Sequence, residues 1–358
     1  MAADDTLIDF ISSVSGDAFL KVEESLGDGY VRLKISEAER RQAKHDIRGV
    51  EDIVVELLRN ARDAHAQHIY VATARDGDQR SITVVDDGIG VPMHLHDSIF
   101  EPRVTSKLET MVTDRWGVHG RGMALYSVRS NASTARVASS DLHKGMAIRV
   151  TVDTTQLTER ADQSTWPTVE RGEDGHLSVV RGPHNIVRRV LEFACEHPEI
   201  DVCIGTPTEV LATLFAHARE RLDTSELMFC DDRSKMLVWQ RPAVSGDAEE
   251  LVEVAGELGL PVSERTAHRV LAGDLAPLEV VVAQAAAEDE PPVPAKPDIY
   301  RDRRSLHIHA ADLAAFRVEL ERAFNALGER YYLGLRAEPK ITVGANEIRV
   351  RFPVQKED

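Results

Sequence analysis

In the run Glu56-Leu-Leu-Arg-Asn60-Ala-Arg-Asp63-Ala, the residues Glu56, Asn60 and Asp63 stand at i, i+4 and i+7, a spacing that puts all three on one narrow face of a helix. Ile53, Leu57, Ala61 and Ala64 line the adjacent arc, so one side packs and the other is offered to a ligand. Taken alone, the pattern also fits an amphipathic helix with a solvated acidic stripe, and the residues that follow decide between the two. Val84-Val-Asp86-Asp87-Gly88-Ile89-Gly90 ends a predicted strand with an Asp-x-Gly-x-Gly motif. A carboxylate buried there can accept a hydrogen bond from an exocyclic amine, and the two glycines let the backbone turn close to a flat ring. That chemistry suits adenine. Gly117-Val118-His119-Gly120-Arg121-Gly122-Met123 then runs into a helix, where successive backbone N–H groups and the helix dipole favour an anion such as phosphate.

The elements that must position these residues can be read from periodicity. A strand at 30–35 and a charged helix from Glu37 lead into the first motif. The alternating runs 68–74 and 81–85 form an antiparallel hairpin around Gly77 and deliver the chain to Asp86. The stretch 93–116 is polar, irregular and broken by Pro102, and reads as a long functional loop. A glycine-rich turn and helix at 117–130 and strands at 134–138 and 146–152 complete the unit. The fold class expected is α+β: an α/β sandwich with helices on one face of a mixed sheet, followed by smaller α/β and helical units.

Beyond that unit, taken as residues 1–155, the reading is a linker at 156–175 and an α/β domain at 176–243. Within the latter stand helices at 183–196 and 207–221 and a hairpin-like pair at 227–230 and 235–239. Two short helical patterns at 248–258 and 263–272 lie in a helical segment, 244–283, whose spacing resembles a helix-turn-helix. Residues 284–298, rich in Ala, Glu and Pro, read as a flexible linker. A C-terminal α/β segment at 299–358 holds one long helix, 311–327, and a strand at 347–352.

At 358 residues the chain suggests two or three domains. Its 42% hydrophobic and 29% charged residues are those of an ordinary globular protein. The formal net charge of -17 opposes general attraction to a phosphate backbone, so any DNA contact would be confined to local basic patches. No run of 18 apolar residues and no basic leader followed by an apolar stretch is present, and a cytoplasmic protein with no membrane contact is expected. Cys195, Cys203 and Cys230 are too few and too irregular for a disulfide framework or a zinc site, and buried thiols are expected instead.

As an ordered set, the three motifs resemble the ATP-binding module shared by gyrases, heat-shock chaperones, histidine kinases and mismatch-repair ATPases, the GHKL superfamily with its Bergerat fold. The resemblance covers roughly residues 30–153. It implies Mg²⁺-dependent ATP binding and slow hydrolysis, with a nucleotide-driven conformational change or homodimerisation. Glu56 would orient or activate water, Asn60 would bind Mg²⁺, and Asp86 would contact the adenine amine. The nucleotide-contacting set implied is Asn60, Asp63, Asp86, Gly88, Ile89, Gly90, Lys107, Gly117, Val118, His119, Gly120, Arg121, Gly122 and Met123, with 93–116 as the lid. The roles are chemically coherent: Mg²⁺ takes oxygen ligands and keeps several waters, and hydrolysis is mostly positioning and charge neutralisation.

One departure stands out. Members carry a Thr after the Gly that opens a late strand, supporting the adenine-binding Asp; here Gly145 is followed by Met146, and Thr151 or another group would have to substitute. Ile99-Phe-Glu-Pro resembles the lid segment of histidine kinases, although only His45 precedes the first motif closely enough to be considered as a phosphoacceptor. The run 181–198, with Thr206-Pro207 after it, loosely resembles the B subunit of type IIB topoisomerases. Lys235, Lys296 and Lys340 are then candidates for a transducer lysine, and a separate DNA-cleaving partner would be needed. A nucleotide-gated module that binds a protein partner is the third alternative.

Overall fold

The structure is a computed structural model and describes residues 22–106, 112–114, 117–119, 122–172, 177–223, 232–289, 310–331, 333–343 and 348–356. The chain divides into two units, residues 1–291 and 292–358. The sequence also carries a short helical pattern near residues 7–11, which lies outside the described residues.

In the first unit, β1 (Val22–Gly27) and β2 (Tyr30–Leu33) form an antiparallel ribbon ahead of α1 (Glu37–Asp46). Helix α1 starts at Ser36, whose hydroxyl accepts the Glu39 N–H while the Glu39 carboxylate accepts the Ser36 N–H, a reciprocal capping box. Helix α2 (Val50–Asp63) follows and buries Ile53, Val54, Leu57, Leu58 and Ala61, the apolar arc expected from its spacing. Strands β3 (His68–Asp76) and β4 (Gln79–Asp86) make the predicted hairpin. Strand β5 (Val104–Thr105) adds to β2, and β6 (Val112–Asp114) pairs with β7 (Gly117–His119). Helix α3 (Ala124–Asn131), β8 (Thr134–Ser140) and β9 (Met146–Asp153) complete the module.

Next come β10 (Thr168–Arg171), β11 (Leu177–Arg181), α4 (Ile186–Glu196), β12 (Asp201–Gly205), α5 (Pro207–Arg221), α6 (Ala248–Glu257), α7 (Glu264–Leu271) and α8 (Val281–Asp289). The central sheet has five strands in the order β12-β3-β4-β9-β8. It is mixed: β12 runs parallel to β3 with Asp201 opposite His68, and the other pairs are antiparallel. Period-2 alternation separates two cores. Ile69, Val71, Ile82, Val84, Ile148 and Val150 face α2 and α3, which lie on one face as expected. Tyr70, Ala72, Val85, Ala147 and Cys203 face the opposite way.

Four expectations about the downstream segment need correction. Residues 176–243 do not form a separate domain. Strand β12 extends the first sheet, α4 shares the α2 core through Val190, Leu191 and Phe193, and α5, α6 and α7 cover the second face. The physical reason is that β3 and β4 are apolar on both faces, and a sheet so composed needs cover on both. The 156–175 stretch is no free linker either, because Glu159 accepts from Arg80 and Arg75 at 2.7 Å, and buried Glu51 accepts from the Arg160 N–H and Gln163. Residues 284–289 are helical within α8, with Val281 and Ala285 packed in the α4 core; a run of alanines has the intrinsic propensity for this. The 235–239 stretch is not a strand but runs from one 3-10 turn into another, Val238–Val244, containing Pro242. Its expected partner, 227–230, lies outside the described residues, as does 290–298.

Helices α6 and α7 match the predicted helical pair. Their connecting turn is clamped to the sheet, since the Gly259 carbonyl accepts from Thr83 Oγ1 at 2.8 Å and from Arg149 Nη1 at 2.6 Å. In the second unit, α9 (Ala310–Tyr331) is followed by β13 (Leu333–Leu335), β14 (Lys340–Val343), β15 (Ile348–Arg351) and β16 (Val354–Lys356). Phe324 stacks on Phe352 with ring centroids 5.0 Å apart. No described helix is long and apolar enough to cross a membrane.

The Glu159 side chain is 4% exposed and its Arg80 partner 9%. Glu159→Ala leaves a buried guanidinium without its carboxylate and is expected to cost about 3 kcal/mol, read as a lowered midpoint in urea unfolding. A midpoint equal to that of the wild type would mean that the 154–167 segment is not held through this pair.

Candidate nucleotide-binding site

Two local constraints bring Asn60 and Asp86 together. Helix α2 ends at Ala64, whose N–H bonds to the Asn60 carbonyl, and His65 then turns the chain in the left-handed region at φ 61°. The Ala64 carbonyl accepts the Ile89 N–H at 2.8 Å, tying the end of α2 to the loop after β4. Along β4, residues 82, 84 and 86 share a face, so the alternation that buries Ile82 and Val84 against α2 also aims Asp86 there. Glycine is required at two positions in this loop. A Cβ at Gly88 would lie 2.7 Å from the Ala64 carbonyl oxygen, and one at Gly90, where φ is 75°, would lie 2.2 Å from that of Asp141.

The two adjacent carboxylates have opposite environments. Asp87 accepts the Gln67 and His68 backbone N–H groups at 2.7 and 2.9 Å on Oδ1 and meets His68 Nδ1 at 2.6 Å on Oδ2. Its burial raises the pKa, but the imidazole and the two amides outweigh that and hold the carboxyl below the usual carboxylate range. Asp86 is 1% exposed. Its Oδ1 accepts the Gly88 N–H at 2.9 Å, whereas Oδ2 has no partner among the described residues. Burial pushes its pKa up to about 7. The amide nitrogen of Asn60 is likewise buried without a partner among the described residues.

Both side chains line one cleft of about 910 Å³ that opens to solvent. Asp63, Ile89, Gly90 and Gly122 from the expected set join them there. The remaining wall was not foreseen: Tyr30, Val104, Leu125 and Met146 add apolar surface, and Thr105 a hydroxyl. Tyr30 and Val104 meet at the cleft because β5 pairs with β2, a contact between distant segments that periodicity does not reveal. Asp63 is paired with Arg62, whose Nε and Nη2 donate to Oδ1 at 3.0 and 2.9 Å. Met123 precedes the first turn of α3 as its N-cap residue.

Other members of the set stand elsewhere. Glu56 does not line the cleft; it lies one turn before Asn60 on α2, where Arg59 Nη1 donates to its Oε1 at 2.7 Å. Arg59 is 3% exposed. Gly88, in the loop itself, packs against Ala64 and donates to Asp86 Oδ1 without lining the cleft. Gly117, Val118 and His119 form β7, while Lys107, Gly120 and Arg121 lie outside the described residues.

Thr151 is not the substitute for the missing Thr. It pairs with Ser81 on β4, five residues from Asp86, and odd-numbered positions of β9 face away from α2. The hydroxyl beside the loop belongs to Ser140, which donates to the Gly145 carbonyl at 2.9 Å and accepts the Val91 N–H at 2.8 Å. Of the transducer candidates, Lys235 is 81% exposed beside Asp232, Lys340 is in β14 of the second unit, and Lys296 lies outside the described residues.

The residues fit an adenine nucleotide. An acceptor oxygen with no donor, a side-chain amide with an unmet nitrogen and apolar walls between them are what a flat heterocycle with an exocyclic amine requires. Sequence comparison agrees, for residues 45–156 match the family described as histidine kinase-, DNA gyrase B- and HSP90-like ATPase. Through this segment the chain belongs to the GHKL superfamily. The chain is 42% identical over 91 residues to the DNA mismatch repair protein MutL of Thermus aquaticus, a match covering 25% of this chain and 16% of that protein. MutL from two strains of Thermus thermophilus is 41% identical over 83 residues, 23% of this chain and 15% of theirs. The similarity thus spans under a fifth of those relatives.

The raised pKa of Asp86 has a consequence for stability. Unfolded, this carboxyl ionises near its ordinary 3.8; folded, it keeps its proton up to about 7. Its contribution to stability is therefore fully present below pH 3.8 and is lost as pH rises through 7, an effect of up to about 4 kcal/mol. Asp86→Asn removes this pH dependence. The nucleotide-free variant is expected to melt higher than the wild type at pH 8, with the difference vanishing towards pH 4; a variant melting lower at pH 8 would show that Asp86 is ionised at little cost.

Proposed function

We propose that the chain binds ATP with Mg²⁺, hydrolyses it slowly, and uses the bound nucleotide to close or dimerise its GHKL domain. The observation that supports this most directly is the pair of buried, unpartnered polar atoms, Asp86 Oδ2 and Asn60 Nδ2, on one cleft. Asp86 accepts the adenine amine, while Ile89, Leu125 and Met146 supply apolar surface to the ring. Asn60 is the protein ligand for the metal, its amide able to rotate and present oxygen. Bound Mg²⁺ supplies charge neutralisation at the phosphates. Glu56, one helical turn away, holds the attacking water.

A second reading is favoured by one observation. Glu56 is held by a buried Arg59 and does not line the cleft, which suits a module that binds ATP, gates a partner and turns over little. The relatives named for DNA mismatch repair are matched over under a fifth of their length, so the likeness leaves the output open. Coupling of closure to DNA, as in a topoisomerase B subunit, is the finer version of the first reading.

Titration calorimetry with ATP and Mg²⁺ is expected to show heat of binding, and a non-hydrolysable analogue is expected to raise the mass in solution from monomer to dimer. Glu56→Gln, which keeps a partner for Arg59, should bind ATP as the wild type does while turnover falls at least about a hundredfold. A fully active Glu56→Gln enzyme removes the catalytic assignment. Wild-type protein that binds but shows no turnover favours the gated module.

A further inference from the structure

Asp87 is not offered to the cleft, yet it is the residue through which the adenine-binding loop is held. Its carboxylate secures the Gln67 and His68 amides at the start of β3 and leaves one oxygen for His68 Nδ1 at 2.6 Å. The other ring nitrogen, Nε2, lies 2.9 Å from Arg221 Nη2 at the last residue of α5. A guanidinium has only donors, so Nε2 must accept and the imidazole proton must sit on Nδ1, donating to Asp87. The result is an oriented chain from Arg221 through His68 to Asp87. Arg221 is itself seated over the Trp239 ring, 5.3 Å from its centroid, and Asp201 of β12 lies 3.9 Å from His68 Nε2. The chain starts on the downstream segment and ends next to Asp86.

We propose that His68 is a positioning residue for nucleotide binding: through Asp87 it sets the 86–90 loop, and through Arg221 it ties that loop to α5. The inference rests on the reading of the cleft as an ATP site. Asp86 can stand ready with an unmet oxygen only if the peptide that follows it is fixed, and the Asp87 side chain bonds back to the start of β3 at three points. His68 touches neither Asn60 nor the cleft, so it acts on affinity and leaves the hydrolytic step alone.

The test compares wild type, His68→Phe, His68→Asn and Arg221→Met. His68→Phe fills the space without either bond and is expected to weaken ATP binding about tenfold in calorimetry, with turnover at saturating ATP unchanged. His68→Asn places an amide nitrogen where Nδ1 stands, keeps the Asp87 bond and should restore most of the affinity. Arg221→Met removes the outer bond and the guanidinium over Trp239, leaves the His68–Asp87 bond in place, and should show a smaller loss of the same sign. In the nucleotide-free protein, amide exchange at Gln67, His68 and Gly88 should be faster in His68→Phe and near normal in His68→Asn. Wild-type affinity in His68→Phe, equal losses in His68→Phe and His68→Asn, or unaltered exchange would each overturn the proposal. Wild-type protein that binds no ATP overturns the functional reading instead, and the exchange measurement, which needs no nucleotide, then decides the relay by itself.

Discussion

Burying a carboxylate with one oxygen left without a donor is expensive, and the nucleotide domain is organised so that Asp86 can remain in that state. Asp86 is 1% exposed, and the residues that follow it are held from three sides. The Ile89 N–H donates to the end of α2, the Ile89 carbonyl accepts the His143 N–H, and the Ser140 hydroxyl accepts the Val91 N–H. Asp87 takes up the Gln67 and His68 amides and the His68 imidazole at the start of β3. An unmet acceptor held this firmly discriminates, since only a ligand that brings a donor to that point recovers the desolvation cost.

The same firmness requires cover on the far face of the sheet. Tyr70, Val85 and Ala147 alternate with the cleft-facing residues of the same strands and cannot be left in water. The chain meets this need by folding its own downstream segment back: α5, α6 and α7 seal the second face, and β12 extends the edge. The segment that seals the sheet is also bonded to parts of the cleft. His197 at the end of α4 contacts Arg62, the partner of Asp63, and the Val238 N–H bonds to Lys144 in the turn that presses on Gly90. The described residues of 186–271 are therefore bonded to, and packed in one unit with, the nucleotide domain.

Much of the cleft was legible in the order and spacing of its motifs. The helical spacing of Glu56, Asn60 and Asp63, the Asp-x-Gly-x-Gly run and the strands that deliver it are all local patterns, and local patterns survive without knowledge of tertiary contacts. The misread stretches share a cause. Residues 235–239 alternate as a strand would but run into a 3-10 turn that contains Pro242, and the Ala-rich 284–289 reads as a spacer although α4 offers it an apolar surface.

By itself the sequence determined which residue types occur and on which side of each element they project, hence the helix carrying Asn60 and the strand ending in Asp86. Tertiary structure alone decided that Asp86 faces the cleft with an unmet oxygen while Asp87 is consumed by His68, and that Glu56 is turned to Arg59. It also decided that β12 belongs to the first sheet, through a pairing with β3 across more than a hundred residues of chain. The reason is physical. Side-chain direction along one element follows from backbone geometry, whereas the partner of a buried polar atom depends on which distant segment arrives beside it.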